Sequence, residues 1–136
     1  MFFDHEPLTK DALNALSVLA LAHTGDAVFE LLVRAWLIAG GRATNASLHK
    51  ATVRYVSAPA QAEAADFLLS RLTEDEQAVY RRGRNAHVRS VPKNATHEQY
   101  AKATGLETLF GYLYLSGREE RCKALFRMLT EECYAL

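Results

Sequence analysis

The sequence predicts an all-α protein on three observations. No stretch alternates polar and apolar residues over more than a few positions, as a half-buried strand requires. Apolar residues recur instead at helical spacing, most clearly Val28, Leu31, Leu32, Ala35, Trp36 and Ala39. Capping and breaking residues punctuate these runs.

Taken in order, Thr9-Lys-Asp-Ala reads as an N-cap region opening a helix to about Ala22. His23-Thr-Gly-Asp is expected to break it, with Gly25 as hinge and Asp26 opening an apolar helix that ends at Gly40-Gly41. Val33, Leu37 and Ile38 widen that helix's apolar stripe, so burial on nearly all sides is expected. Asn45 or Ser47 caps a short helix holding Leu48, His49 and Val53. Ser57, with Pro59 in the first turn, opens another that continues to about Leu72. Thr73-Glu-Asp-Glu forms a capping box for a helix ending near Arg82-Gly83. The segment from Arg84 to Thr96 lacks apolar periodicity and reads as a loop. Thr96 or His97 opens a helix carrying Tyr100, Ala103, Leu106, Leu109, Phe110 and Leu113; Gly117 separates it from a last helix, Glu119 to about Tyr134. The 136 residues fit one domain with a real core and show no repeat.

Composition narrows the class. The 16 basic and 16 acidic side chains cancel, so bulk charge points to no partner and distribution becomes the informative property. No apolar run reaches the roughly 18 residues of a membrane span. The amino-terminal residues lack the basic region of a signal peptide, and a cytoplasmic location is expected. Cys122 and Cys133 lack metal-type spacing and read as free thiols. No two of the five histidines stand at i, i+3 or i+4, which speaks against a zinc site. Nucleophile-elbow, Walker A and dinucleotide-binding motifs are absent.

Three features carry candidate chemistry. Asp26 is a carboxylate in an apolar run, where lost solvation demands pairing, protonation or a metal. Spacing alone favours a helix cap for it. Glu107 sits beside the core positions Leu106, Leu109 and Phe110, with Gly105 and Gly111 nearby; a rim position or pairing with Lys102 or His97 is the plainer reading. Together, two semi-buried carboxylates on separate helices suit a shared Mg²⁺ or Mn²⁺ held by oxygen alone. The third feature is Arg81 to Lys93, which holds Arg81, Arg82, Arg84, Asn85, Arg89 and Lys93 and no acid. From Leu31 to Ala62 there is likewise no acid, while Arg34, Arg42, His49, Lys50 and Arg54 occur. Segregated charge of this kind is a footprint for phosphates, although a solvated loop is the commoner meaning. Few aromatics interleave, so backbone recognition of a duplex fits better than stacking of single-stranded bases.

Leu21-Ala-His-Thr-Gly-Asp-Ala-Val-Phe-Glu30 resembles the signature helix of the ribonuclease III catalytic domain. Leu48-His-Lys50, Val56-Ser-Ala58, Glu76 to Ala86 (with Arg-Arg-Gly-Arg-Asn-Ala), Pro92-Lys-Asn94 and Glu107 to Leu115 narrow the resemblance to the short branch, Mini-ribonuclease III. It spans roughly residues 13 to 130. The resemblance implies a homodimeric all-helical endonuclease that cuts double-stranded RNA with Mg²⁺ (Mn²⁺ substituting), leaves 5′-phosphates and trims precursors of large-subunit ribosomal RNA. It implies Asp26 and Glu107 as the catalytic and metal-holding pair, with no double-stranded-RNA-binding domain beside them. His49, Lys50, Arg81, Arg82, Arg84, Asn85, Arg89 and Lys93 become the RNA-binding patch. Longer family members carry further carboxylates where this chain has Leu19, Ala22 and Thr104. Glu30 reads as an i,i+4 partner of Arg34. The missing carboxylates keep open a catalytically inactive homodimeric RNA-binding or ribosome-assembly factor of the same fold; a helical protein–protein adaptor ranks third.

Overall fold

A computed structural model describes residues 5–86, 91 and 93–135. Seven α-helices lie among them: α1 (Lys10–Ala15), α2 (Val18–Ala39), α3 (Leu48–Val56), α4 (Ala58–Leu69), α5 (Glu74–Arg84), α6 (His97–Leu115) and α7 (Glu119–Met128). No strand occurs among the described residues, and none of these helices is long and apolar enough to cross a membrane.

The expected break at His23–Gly25 is not there. The chain turns at Leu16–Ser17, where Ser17 Oγ accepts the Ala20 N–H at 3.1 Å and starts a 22-residue α2 that runs unbroken through Asp26. Arg82 of α5 holds this turn by donating to the Leu16 carbonyl. Asp26 is therefore mid-helix and caps nothing, and Gly25 is no hinge. A glycine inside a helix costs about 1 kcal/mol relative to alanine. Here close packing against α6 offsets that cost.

The capping box at the start of α5 is as expected, and α6, opened at Thr96, has one as well. Thr73 Oγ1 accepts from Glu76 N at 3.2 Å while Glu76 Oε1 accepts from Thr73 N at 2.9 Å. Thr96 and Gln99 exchange the equivalent pair at 3.0 and 2.9 Å. Two ends differ. α4 stops at Leu69 instead of Leu72, and the last helix passes at Met128 into a π-helical turn, Leu129–Cys133, that carries Tyr134 back onto Trp36 and Tyr55. Both cysteines are free thiols.

α6 is the central element, and α2, α4, α5 and α7 pack on it. Its stretch from Leu106 to Tyr114 is buried except at Glu107. Phe29 of α2 stands edge-on to Phe110 at 5.3 Å and to Phe126 at 5.8 Å, linking α2, α6 and α7. Edge-to-face pairs of this kind add about 0.5–1.5 kcal/mol beyond their burial. α2, by contrast, is not buried all round. Phe29, Val33 and Leu37 face the core, while Leu31 (47%) and Ile38 (64%) remain exposed in the single chain. Among the described residues, part of the apolar surface of α2 therefore stays open.

Candidate active site

Two glycines bring the carboxylates together. A Cβ at Gly25 would strike the Glu107 carbonyl oxygen and lie 2.7 Å from the Gly111 nitrogen; one at Gly111 would strike the Leu21 carbonyl oxygen. α2 and α6 thus cross backbone to backbone. Asp26 follows the first glycine and Glu107 precedes the second by one turn, so their side chains leave the crossing on the same side. Both line an open pocket of about 510 Å³ with Ser17, Val18, Leu19, Ala22, His23, Ala86, Tyr100 and Thr104.

Their environments differ, and the expectation that both acids are semi-buried holds only for Glu107. Asp26 is exposed at the pocket mouth. Burial first, and the Asp26 carboxylate beside it second, push Glu107 up to about 8. At neutral pH Glu107 holds a proton and hydrogen-bonds Asp26. The plainer reading of Glu107 as a partner of Lys102 fails, since Lys102 Nζ binds Asp66 at 2.9 Å and Glu98 at 3.3 Å. Glu30 does pair with Arg34, at 2.5 Å.

A divalent cation between the two carboxylates would replace the shared proton as compensating charge. The donor set is oxygen only and open to solvent on one side, which fits Mg²⁺, an ion that keeps several waters. Thr104 lines the pocket, but its hydroxyl donates to the Tyr100 carbonyl at 3.0 Å. Among the described residues no three His, Cys, Asp or Glu side chains gather into a cage.

The basic residues divide. Arg81 and Arg84 are exposed on the last turn of α5, Arg84 on helix instead of the expected loop, because α5 continues to Arg84 where the helix dipole favours cations. Arg82 is half-buried and occupied by the Leu16 carbonyl, which gives it a structural task. Asn85 is the exposed C-cap of α5, and Lys93 is exposed before α6. His49 and Lys50 are exposed on α3, which packs on α2 and α4. None of His49, Lys50, Arg81, Arg84 and Lys93 makes an ion pair among the described residues. Arg89 lies outside the described residues. Arg42 is taken up by Trp36, donating to its carbonyl at 2.9 Å and stacking 4.5 Å over its ring.

Residues 19–118, which include both acids and the crossing, match the family described as Ribonuclease III domain. The chain belongs to the ribonuclease III family. Its curated relatives are named Mini-ribonuclease 3, which places it in the short branch. The one from Thermoanaerobacter is 43% identical over 93% of this chain and 89% of its own length. Those from Symbiobacterium thermophilum and Brevibacillus brevis are 48% and 50% identical, each over 85% of this chain and over 89% and 86% of their own lengths. A crystal structure of a Fusobacterium nucleatum protein superposes with a TM-score of 0.80 at 28% identity, over 90% of this chain and 98% of that one.

In this ribonuclease III domain, Leu19, Ala22 and Thr104, the positions of the longer enzymes' further carboxylates, all line the pocket of Asp26 and Glu107. Sequence reasoning missed Tyr100 and above all Gln61 as neighbours of the pair. Gln61 had a signal: it is a lone amide in an alanine-rich apolar run, the same logic that singled out Asp26.

Proposed function

We propose that this ribonuclease III-family endoribonuclease hydrolyses phosphodiester bonds of double-stranded RNA in a Mg²⁺-dependent reaction, with Mn²⁺ able to substitute. The observation that carries the reading is the Asp26–Glu107 carboxyl pair at the Gly25–Gly111 crossing, facing an open pocket. Bound there, the metal supplies activation of the attacking water and neutralises charge at the leaving 3′-oxygen. Asp26 and Glu107 hold it, which requires Glu107 to release the proton it shares with Asp26. The exposed Arg81, Arg84 and Lys93, with His49 and Lys50, bind backbone phosphates. The rRNA assignment, processing of large-subunit ribosomal RNA precursor in the cytoplasm, rests on the resemblance to the Mini-ribonuclease 3 branch.

The acting unit is a homodimer. The open side of α2 supports this: Ala27, Val28, Leu31, Leu32 and Ala35 line an apolar groove of about 620 Å³ that a second copy would cover. Sedimentation of Leu31→Arg should show a monomer that has lost cleavage; a dimeric, active variant would remove this interface.

The test of the activity is a long end-labelled RNA duplex incubated with and without Mg²⁺, beside Asp26→Asn and Glu107→Gln. Metal-dependent cleavage to 5′-phosphate ends, lost in each folded variant, is expected. Salt-sensitive binding without cleavage by the unaltered protein would make it instead the inactive RNA-binding factor of the same fold.

A further inference from the structure

α4 and α6 pack side by side, and Lys102 ties them by bonding the Asp66 carboxylate at 2.9 and 3.1 Å. Gln61 stands as far before Asp66 on α4 as Glu107 stands after Lys102 on α6, so an antiparallel register sets Gln61 level with Glu107. Gln61 is 2% exposed, and its Nε2 has no hydrogen-bond partner among the described residues. A buried donor left unsatisfied costs about 1–3 kcal/mol. Its surroundings on α4 are alanines, which offer side-chain acceptors nowhere. The Gln61 side chain faces the Glu107 carboxyl closely enough to act on it.

We propose that Gln61 is a positioning residue for Glu107. Its amide N–H holds one Glu107 carboxylate oxygen from the protein side and leaves the other turned towards Asp26 and the divalent cation. This rests on the reading of Asp26 and Glu107 as the metal-holding pair. A ligand carboxylate fixed in this way needs no reorientation when the cation arrives, and loss of such a partner typically weakens metal affinity about 10–100-fold.

The experiment is a Mn²⁺ titration of the full chain without RNA, followed by the electron paramagnetic resonance of free Mn²⁺. Gln61→Met, of similar length and without a donor, is compared with the unaltered protein and with Asp26→Asn. Gln61→Met should bind Mn²⁺ about tenfold more weakly or worse. Its affinity for an RNA duplex measured without divalent cation should be unchanged, and raised Mg²⁺ should restore part of its cleavage rate. If Gln61→Met does not fold, Gln61→Leu takes its place in the same titration. Unaltered Mn²⁺ affinity in the folded Gln61 variant, with affinity lost in Asp26→Asn, overturns the role of Gln61 alone. Unaltered affinity in Asp26→Asn overturns the two-carboxylate site itself.

Discussion

Gly25 and Gly111 meet with no side chain between them, and this contact sets the separation of Asp26 from Glu107. A methyl group at either position collides with a carbonyl oxygen of the facing helix, and backbone cannot swing aside as a flexible side chain can. Gly25→Ala gains about 1 kcal/mol of helix propensity but forces the helices apart, and overpacking of this kind costs about 1–3 kcal/mol or more. Urea denaturation should show a net loss of stability. Cleavage should fall further than stability does, because the carboxyl pair is pulled open. A stable, fully active Gly25→Ala enzyme would contradict this account of the site.

Glu107 makes the metal-free protein sensitive to pH. Its folded pKa, about 8, lies above the ordinary value of 4.5. The native state therefore binds more protons than the unfolded chain between these values, and stability falls as pH rises from 4.5 towards 8. Thermal unfolding in chelator should show this decline, and Glu107→Gln should flatten it. Mg²⁺ should stabilise the unaltered protein most at the alkaline end. A pH profile identical in Glu107→Gln would mean that Glu107 is not the group responsible.

Arg121 and Glu76 form the best-buried ion pair among the described residues. Glu76 is 4% exposed and accepts from Arg121 Nε at 2.8 Å and Nη2 at 2.9 Å. The Arg121 hydrogen bonds outweigh burial and hold Glu76 below its usual range. Arg121→Met strands a buried carboxylate and should cost about 3 kcal/mol, seen as a lower urea midpoint. The pair's contribution is present above pH 4.5 and is lost as pH falls through the lowered pKa, so the variant's deficit should shrink in acid. Cleavage at permissive temperature should survive, since neither residue lines the pocket.

Arg84 and Lys50 are exposed cations free of ion pairs among the described residues. Arg84→Ala or Lys50→Ala should weaken duplex binding across RNA sequences. Each should also lower the slope of log affinity against log salt by roughly 0.9 if it contacts one phosphate. Arg82→Ala should behave differently, destabilising the Leu16–Ser17 turn. Fluorescence anisotropy over a salt series, with unfolding curves beside it, separates the two classes. An unchanged slope in Arg84→Ala would remove it from the interface.

Much of the fold was legible because its signals are local. Caps at Thr9, Thr73 and Thr96 bond backbone groups three residues away, and the apolar spacing of α2 and α6 shows within each helix. The candidate pair was legible too, as lone acids in apolar runs that resemble a known signature. Tertiary packing decided the rest. Only the facing backbone of α6 could show that Gly25 is a close-contact residue inside a helix, since a glycine followed by an aspartate reads locally as a break. Which acid is buried depended on where each side chain leaves the crossing: Glu107 is held among packed helices, and Asp26 lies at the mouth of their shared pocket. Gln61 belongs to the same class, because a lone amide on one helix acquires a role only when another helix sets a carboxylate beside it. Short-range hydrogen bonding and periodicity are properties of neighbouring residues and survive in the sequence as patterns. Desolvation and the meeting of distant side chains arise only once the helices pack, so the sequence named the acids and the packing of α2, α4 and α6 set their chemistry.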